Sequence, residues 1–381
     1  MPKKIYFDHG ATAPLCQEAK QAMEPFLSLE YGNASTDYAL GKRARAAMET
    51  ARGQIAACIG ADSEEIYFTS GGSESDNWAI KGIAGVEKQK GKHLITDVIE
   101  HHAVLHSCQY LQRLGYELTY LGVDVEGLIS LQELRNSIRP DTTLISIMYA
   151  NNEIGTLEPI DQIGRLAHEK QVLFHTDGVQ AVGHVPMNLH RMPVDMLSAS
   201  GHKFGGPKGI GFLYVQKGVP IPSYIHGGAQ EKGKRAGTEN VASIVGMAVA
   251  LQRATRGLEI EYQRQLQLRE YFIERVQREL AGVRVNGSRE RRLPGNISLS
   301  FRNVEAEPLL ILLEEEGICA SAGSACNTGQ SRISHVIKGI QVPSDYAPGT
   351  VRFTLGEQNT REQVDQVVKA LIQYVPLLRV E

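Results

Sequence analysis

The sequence predicts an α/β protein, a large domain with a mostly parallel sheet between helices joined to a smaller α+β domain. Three observations predict it. Between residues 42 and 255, short β-branched or apolar runs alternate with segments of helical period, the pattern of βα units around a largely parallel sheet. After residue 244 the alternation gives way to a long helical stretch, then a strand, a helix, a strand and a helix. The length of 381 residues, with 42% hydrophobic and 22% charged side chains, suffices for two domains with cores of their own.

Strands are expected at 66–69, 93–96, 117–121, 144–149, 172–176, 196–198 and 211–215. Between them Ala44, Ala47, Met48, Ala51, Ile55 and Cys58 recur at helical spacing, as do Ile160, Ile163, Leu166 and Ala167. Such stripes belong to helices packed on a sheet. The second unit opens with a helix over 244–280, interrupted near Gly257. A strand at 296–301, a helix at 308–317, a strand at 351–355 and a last helix from Thr360 follow. No proline-rich or low-complexity linker divides the units, and no internal repeat is visible. The expected division is therefore 13–255 for the large domain and 1–12 with 256–381 for the small one, packed closely around a cleft.

Composition excludes several functions. Forty Lys and Arg against 43 Asp and Glu leave a net charge of −3, and the densest cationic clusters, Lys232, Lys234, Arg235 and Arg289, Arg291, Arg292, are too short to track a nucleic-acid backbone. Five cysteines (Cys16, Cys58, Cys108, Cys319, Cys326) without a CxxC pair suit neither a disulfide framework nor a structural zinc site. No metal is expected, and a reducing compartment fits. Asp8 and His9 interrupt any apolar stretch at the start, and no run of about 18 apolar residues occurs. The expectation is a cytoplasmic protein without a membrane span.

Chemistry gathers at the ends of the expected strands. The strand at 66–69 runs into Ser70-Gly71-Gly72-Ser73-Glu74 and a helix, an arrangement whose backbone N–H groups and helix dipole hold anions, phosphate above all. A plain structural turn reads the same way, and no GxGxxG or GxxxxGK[ST] accompanies it. The strand at 172–176 ends in Asp177 with Gln180 beyond it, where α/β sites collect; an Asp there also caps helices. After the strand at 196–198 come Ser200-Gly201-His202-Lys203 and a run of small residues. A lysine so placed becomes nucleophilic when desolvated, although most lysines are solvated surface groups. A phosphate cradle, an acid and a lysine on neighbouring strand ends are together what pyridoxal 5'-phosphate requires, for its phosphate, its ring nitrogen and its aldehyde.

At this point the chain resembles the fold-type I pyridoxal phosphate enzymes of the class V aminotransferase family, and within them the cysteine desulfurases of the NifS and IscS kind. The resemblance runs nearly end to end: Tyr6-Phe7-Asp8-His9-Gly10-Ala11-Thr12, Thr69 to Asn77, Glu100-His101, Asn151 to Gly155, His175 to Gln180, Ser200 to Lys203, Gly227 to Glu231 with Arg235 to Thr238, Gly323-Ser324-Ala325-Cys326 and Val351-Arg352-Phe353. It implies that Lys203 is the Schiff-base lysine, Asp177 the partner of the pyridine nitrogen and Gln180 a donor to the ring phenolate. It implies that His101 stacks on the ring and moves protons. Gly72, Ser73, Ser200 and His202 hold the phosphate, with Thr238 reaching in from a second subunit, so a homodimer is implied. Asn152 and Arg352 bind the substrate carboxylate, Arg352 by a bidentate fork.

The resemblance also makes Cys326 the residue that takes sulfur from L-cysteine as a persulfide, leaving L-alanine, and passes it to an acceptor protein such as an iron–sulfur scaffold or a tRNA-thiolating enzyme. Its spacing to Ser334-His335-Val336 is similar to that of the subgroup with the longer carrier loop. A lone cysteine otherwise reads as a small buried hydrophobe, the reading given to Cys16, Cys58 and Cys108. Cys319, after an apolar helix, is read as core or a back-up thiol. Related alternatives are a selenocysteine lyase or a cysteine sulfinate desulfinase, and a non-catalytic binding partner in a sulfur system. Ala13, Ala34 and Tyr38 depart from the family's usual letters near the site rim, away from the cofactor residues.

Overall fold

The computed structural model describes residues 4–322 and 333–380. In chain order its elements are β1 (Ile5–Tyr6), α1 (Gln17–Ser28), α2 (Ala39–Ile59), β2 (Ile66–Thr69), α3 (Gly72–Val86), β3 (His93–Asp97), α4 (His102–Arg113), β4 (Glu117–Leu121), α5 (Leu131–Ser137) and β5 (Thr142–Ser146). Then come α6 (Ile160–Glu169), β6 (Leu173–Asp177), β7 (Met196–Ser200), β8 (Gly211–Val215), α7 (Gln230–Gly233), α8 (Val241–Arg256), α9 (Leu258–Glu279) and β9 (Val283–Val285). The chain closes with β10 (Asn296–Phe301), α10 (Ala306–Glu315), β11 (Ile318–Cys319), α11 (His335–Gly339), β12 (Thr350–Thr354) and α12 (Arg361–Leu378).

A seven-stranded sheet runs β2-β8-β7-β6-β5-β3-β4, parallel throughout except that β8 is antiparallel to both neighbours. Alternate residues of the same strands feed two cores, as a period of two requires for a sheet covered on both faces. Ile95, Ile145, Leu197 and Phe212 enter one cluster with Ile55, Phe174 and Met247. Their neighbours Leu94, Leu144, Met196 and Leu213 enter another, with Trp78, Val104 and Leu111. A third core, around Phe7, Phe272, Leu299, Phe301, Phe353 and Leu371, belongs to the three-stranded sheet β12-β10-β9 and its helices. Val336, Ile337, Ile340 and Val342 pack on the first cluster.

Every expected strand is present, and the differences are at ends. The run expected at 144–149 is β5, which closes at Ser146; beyond it Ile147 and Tyr149 still donate N–H groups to His175 O and Asp177 O. The interruption near Gly257 is real: that glycine closes α8 and opens α9. The short β1, β9 and β11 lacked the length to show as periodic runs. No described helix is long and apolar enough to cross a membrane.

Candidate active site

Because β2, β3, β5, β6 and β7 run the same way, the chain leaves all five at one edge of the sheet, where sites in such folds form. Each exit carries candidate residues. After β2, Gly71 takes φ +152° and opens α3 at Gly72, with no side chain capping the first turn. Its early N–H groups are left for an anion. Gly72 is needed for space, since a Cβ there would lie 2.4 Å from Val179 Cγ2, and Ser200 Oγ stands 3.5 Å from where a Gly71 Cβ would be. Ser73 is exposed beside it. After β3, His101 caps α4 by accepting the Ala103 N–H at Nδ1, 3.1 Å, which puts the neutral ring's proton on Nε2.

At the end of β6, Asp177 is buried, and one carboxylate oxygen accepts the Val179 N–H at 2.9 Å. Burial raises its pKa, opposed by the charges of His101 and Lys203. Ligand atoms of Asp76, His101 and Asp177 lie within 4.8 Å of one another. Asp76 is pushed well above the ordinary carboxylate range, by burial first and then by Asp177. A buried neutral acid thus backs the candidate one. Although the ring of His101 opens onto the cleft, desolvation by the protein around it lowers its pKa.

Beyond β7 the turn Gly201–Lys203 delivers the lysine. Its Nζ donates to Gly10 O at 2.7 Å and Ala11 O at 2.9 Å. Burial, and then the positive charge of Arg352, lower its pKa to about 8. His202 Nδ1 is 3.1 Å from Thr12 Oγ1, and burial lowers that imidazole to about 4. Gln180 Nε2 donates to Gly10 O at 3.0 Å. Arg352, on β12, reaches in from the second unit and donates to Asn152 O at 2.8 Å and Asp8 Oδ1 at 2.9 Å. The segment 8–12 therefore touches Lys203, Gln180, His202 and Arg352. Sequence reasoning quoted it as a motif and gave it no task, because carbonyl contacts leave no side-chain signature.

Thr238 lies exposed between α7 and α8, and among the described residues no hydrogen bond ties it to this group. Cys326 lies outside the described residues. Cys319 is half-buried at the end of β11; Cys108 is buried, its thiol pushed up to about 12, and Cys16 and Cys58 are half-buried against the first core.

These residues fit pyridoxal phosphate. Gly71 and Gly72 form a cradle that a side chain would fill, at an uncapped helix start. Asp177 is a buried acid without a cationic side chain hydrogen-bonded to it, placed to meet a protonated ring nitrogen. Lys203 offers an amine that sheds its proton near pH 8.

The family model for aminotransferase class-V matches residues 5–367. The chain is 49% identical to the cysteine desulfurase IscS of Dictyoglomus turgidum, covering all of this chain (100%) and 96% of that protein. It is 49% identical to the IscS of Methanosarcina thermophila, at 99% and 93% coverage. Among solved structures, a NifS-like protein superposes with a TM-score of 0.93 at 36% identity over 99% of this chain and 100% of that one. SspA in complex with cysteine superposes at 0.83 and 37%, over 93% and 99%. Likeness along the whole length, on a fold whose strand ends carry the matching lysine, acid and arginine, makes the chain a member of the class-V aminotransferase family, among its pyridoxal phosphate-dependent cysteine desulfurases.

Proposed function

We propose that the chain desulfurises L-cysteine with Lys203, Asp177, Arg352 and Cys326 as its principal residues, and hands the sulfur to an acceptor protein. The observation that carries this reading is Lys203, a buried amine with a pKa of about 8 at the strand edge that also presents Asp177 and the α3 start. When bound, pyridoxal phosphate supplies an electron sink for charge developing on the substrate's carbons.

The chain's own residues do the rest. Ser73, Ser200, His202 and the first N–H groups of α3, joined by Thr238 of the partner subunit, hold the phosphate. Asp177 accepts from the ring nitrogen and keeps it protonated; Gln180 donates to the ring oxygen. Lys203 holds the aldehyde carbon and, once substrate has displaced it, takes the Cα proton. Arg352 and Asn152 seat the carboxylate, for which Arg352 must yield its contact with Asp8. The Cys326 thiolate then forms an S–S bond to the substrate sulfur. The Cβ–S bond breaks, its electron pair stays on carbon, and a proton completes alanine while Cys326 keeps a persulfide.

The same reading divides the chain at 13–255 against 1–12 with 256–381, supported by the separate core around Phe272 and Phe353. The free thiols at Cys16, Cys58, Cys108 and Cys319 support a reducing compartment such as the cytoplasm. An iron–sulfur scaffold is the leading class of acceptor, a tRNA-thiolating enzyme the second. The test is alanine and sulfide measured together from purified holoenzyme and L-cysteine, with Cys326→Ser alongside. Cys326→Ser is expected to bind cysteine at the cofactor but to release at least about 100-fold less alanine, because a hydroxyl neither attacks sulfur well nor stores it. Alanine at the wild-type rate from that variant overturns the assignment and favours a selenocysteine-type lyase.

A further inference from the structure

The described chain stops at Ala322 and resumes at Ile333, and both ends are tied to candidate site residues. On the near side Ser321 and Arg352 exchange backbone hydrogen bonds, Ser321 N–H to Arg352 O at 3.1 Å and Arg352 N–H to Ser321 O at 2.7 Å. On the far side Ser334 caps α11 by accepting the Val336 N–H at 3.1 Å and hydrogen-bonds the carboxyl of Glu153, the neighbour of Asn152. The next residue, His335, donates from Nε2 to the carbonyl of Glu100 at 2.9 Å, and Glu100 precedes His101. A carbonyl only accepts, so the proton on Nε2 is fixed by this bond.

The turn that His335 grips has few other holds. Both carboxyl oxygens of Glu100 are buried without a hydrogen-bond partner. The hydrogen bonds on the turn between β3 and α4 include Asp97 Oδ1 accepting from Ile99 N–H, Asn151 Nδ2 donating to Ile99 O, and His335. The two side chains on its carbonyls thus come from beside Asn152 and from the re-entry of the segment bearing Cys326. His335 is itself fixed: its ring packs on His102 with centroids 4.7 Å apart, and Val336 and Ile337 behind it are each 1% exposed. The bond therefore joins a rigid anchor to the residue expected against the cofactor ring.

We propose that His335 is a positioning residue of the sulfur-transfer step, whose Nε2–H to Glu100 O sets His101 in place relative to the point where the Cys326 segment re-enters the fold. This rests on the reading of Cys326 as the sulfur acceptor. Cofactor binding and substrate binding do not depend on the bond, since Lys203, Asp177 and Arg352 are held by other partners.

The test compares His335→Ala with His335→Gln, whose amide carries an N–H donor of similar reach. In holoenzyme mixed with L-cysteine, His335→Ala should show the cofactor's absorbance change at the wild-type rate but gain sulfur on the Cys326 peptide about tenfold more slowly, the effect of one lost hydrogen bond in the transition state. His335→Gln should stay within about twofold of wild type. Independently of activity, hydrogen–deuterium exchange over residues 98–106 should be faster in His335→Ala and unchanged in His335→Gln. Wild-type sulfur transfer in His335→Ala, a glutamine variant no better than alanine, or an absorbance change slowed as much as the transfer would each overturn the proposal. Should wild-type protein take no sulfur on Cys326, the desulfurase reading fails, and the exchange comparison still decides whether His335 holds the turn.

Discussion

At Lys203 two effects act in the same direction. Burial disfavours any ammonium ion, and the guanidinium of Arg352 repels this one, so the pKa falls to about 8 against opposing pulls from Asp177 and Asp8. A free amine is the form that captures an aldehyde. Reconstitution of cofactor-free protein with pyridoxal phosphate, followed by absorbance, should therefore speed up with pH around a midpoint near 8. In Arg352→Ala the repulsion goes and Asp8 is released, and both changes favour the ammonium. The midpoint should move up and capture at neutral pH should slow severalfold; a midpoint that stays put would mean Arg352 does not set this amine's state. Lys203 was legible in the sequence because it follows a strand among small residues. The carbonyls that hold its Nζ were not, since Gly10 and Ala11 stand 193 and 192 residues away and any residue type supplies a carbonyl.

Among the elements, α3 shows how little sequence is needed to build an anion site and how tightly it is packed. Its start after a strand was readable from Gly71-Gly72. What was hidden is that Val179, from the far side of the Asp177 turn, fills the space where a Gly72 side chain would go, 2.4 Å from its Cβ. Gly72→Ala should destabilise the protein by about 1–3 kcal/mol through overpacking and weaken cofactor retention, read from thermal midpoints with and without pyridoxal phosphate. Adding Val179→Ala should recover most of both losses. A double variant as defective as the single one would show that Gly72 is required for close approach of the ligand rather than for room beside Val179. The reversed direction of β8 escaped the sequence for a different reason: an alternating apolar run has the same period either way. The left-handed backbone at Glu231 and Lys232, φ 46° and 58°, was equally unreadable, because tertiary contacts hold it. Glu231 is buried against both Arg52 nitrogens and the Phe68 N–H.

For the whole molecule the open matter is which surface meets a second copy. Leu27, Leu29 and Tyr31, at the end of α1 and just beyond, are 68%, 73% and 73% exposed, and Tyr38 55%. So many large apolar groups close in sequence suit a surface that a partner covers. Thr238 is exposed too, on a connection tied to its own subunit's cradle by the Arg235–Glu74 pair at 2.8 Å. If Thr238 serves the neighbour's phosphate, its defect and that of Lys203 fall in different sites of a homodimer but in the same site of a mixed one. A heterodimer of Thr238→Ala with Lys203→Ala then carries both defects in one site and leaves the other wholly wild type. Equal mixing with free exchange makes half of the dimers mixed, so about a quarter of the wild-type activity per subunit should return, above that of either variant alone. Exchange is verified by mass spectrometry of differently tagged subunits. Activity equal to the average of the two separate variants, with exchange complete, would mean that each site is built from a single chain and that the exposed apolar residues of α1 serve another contact.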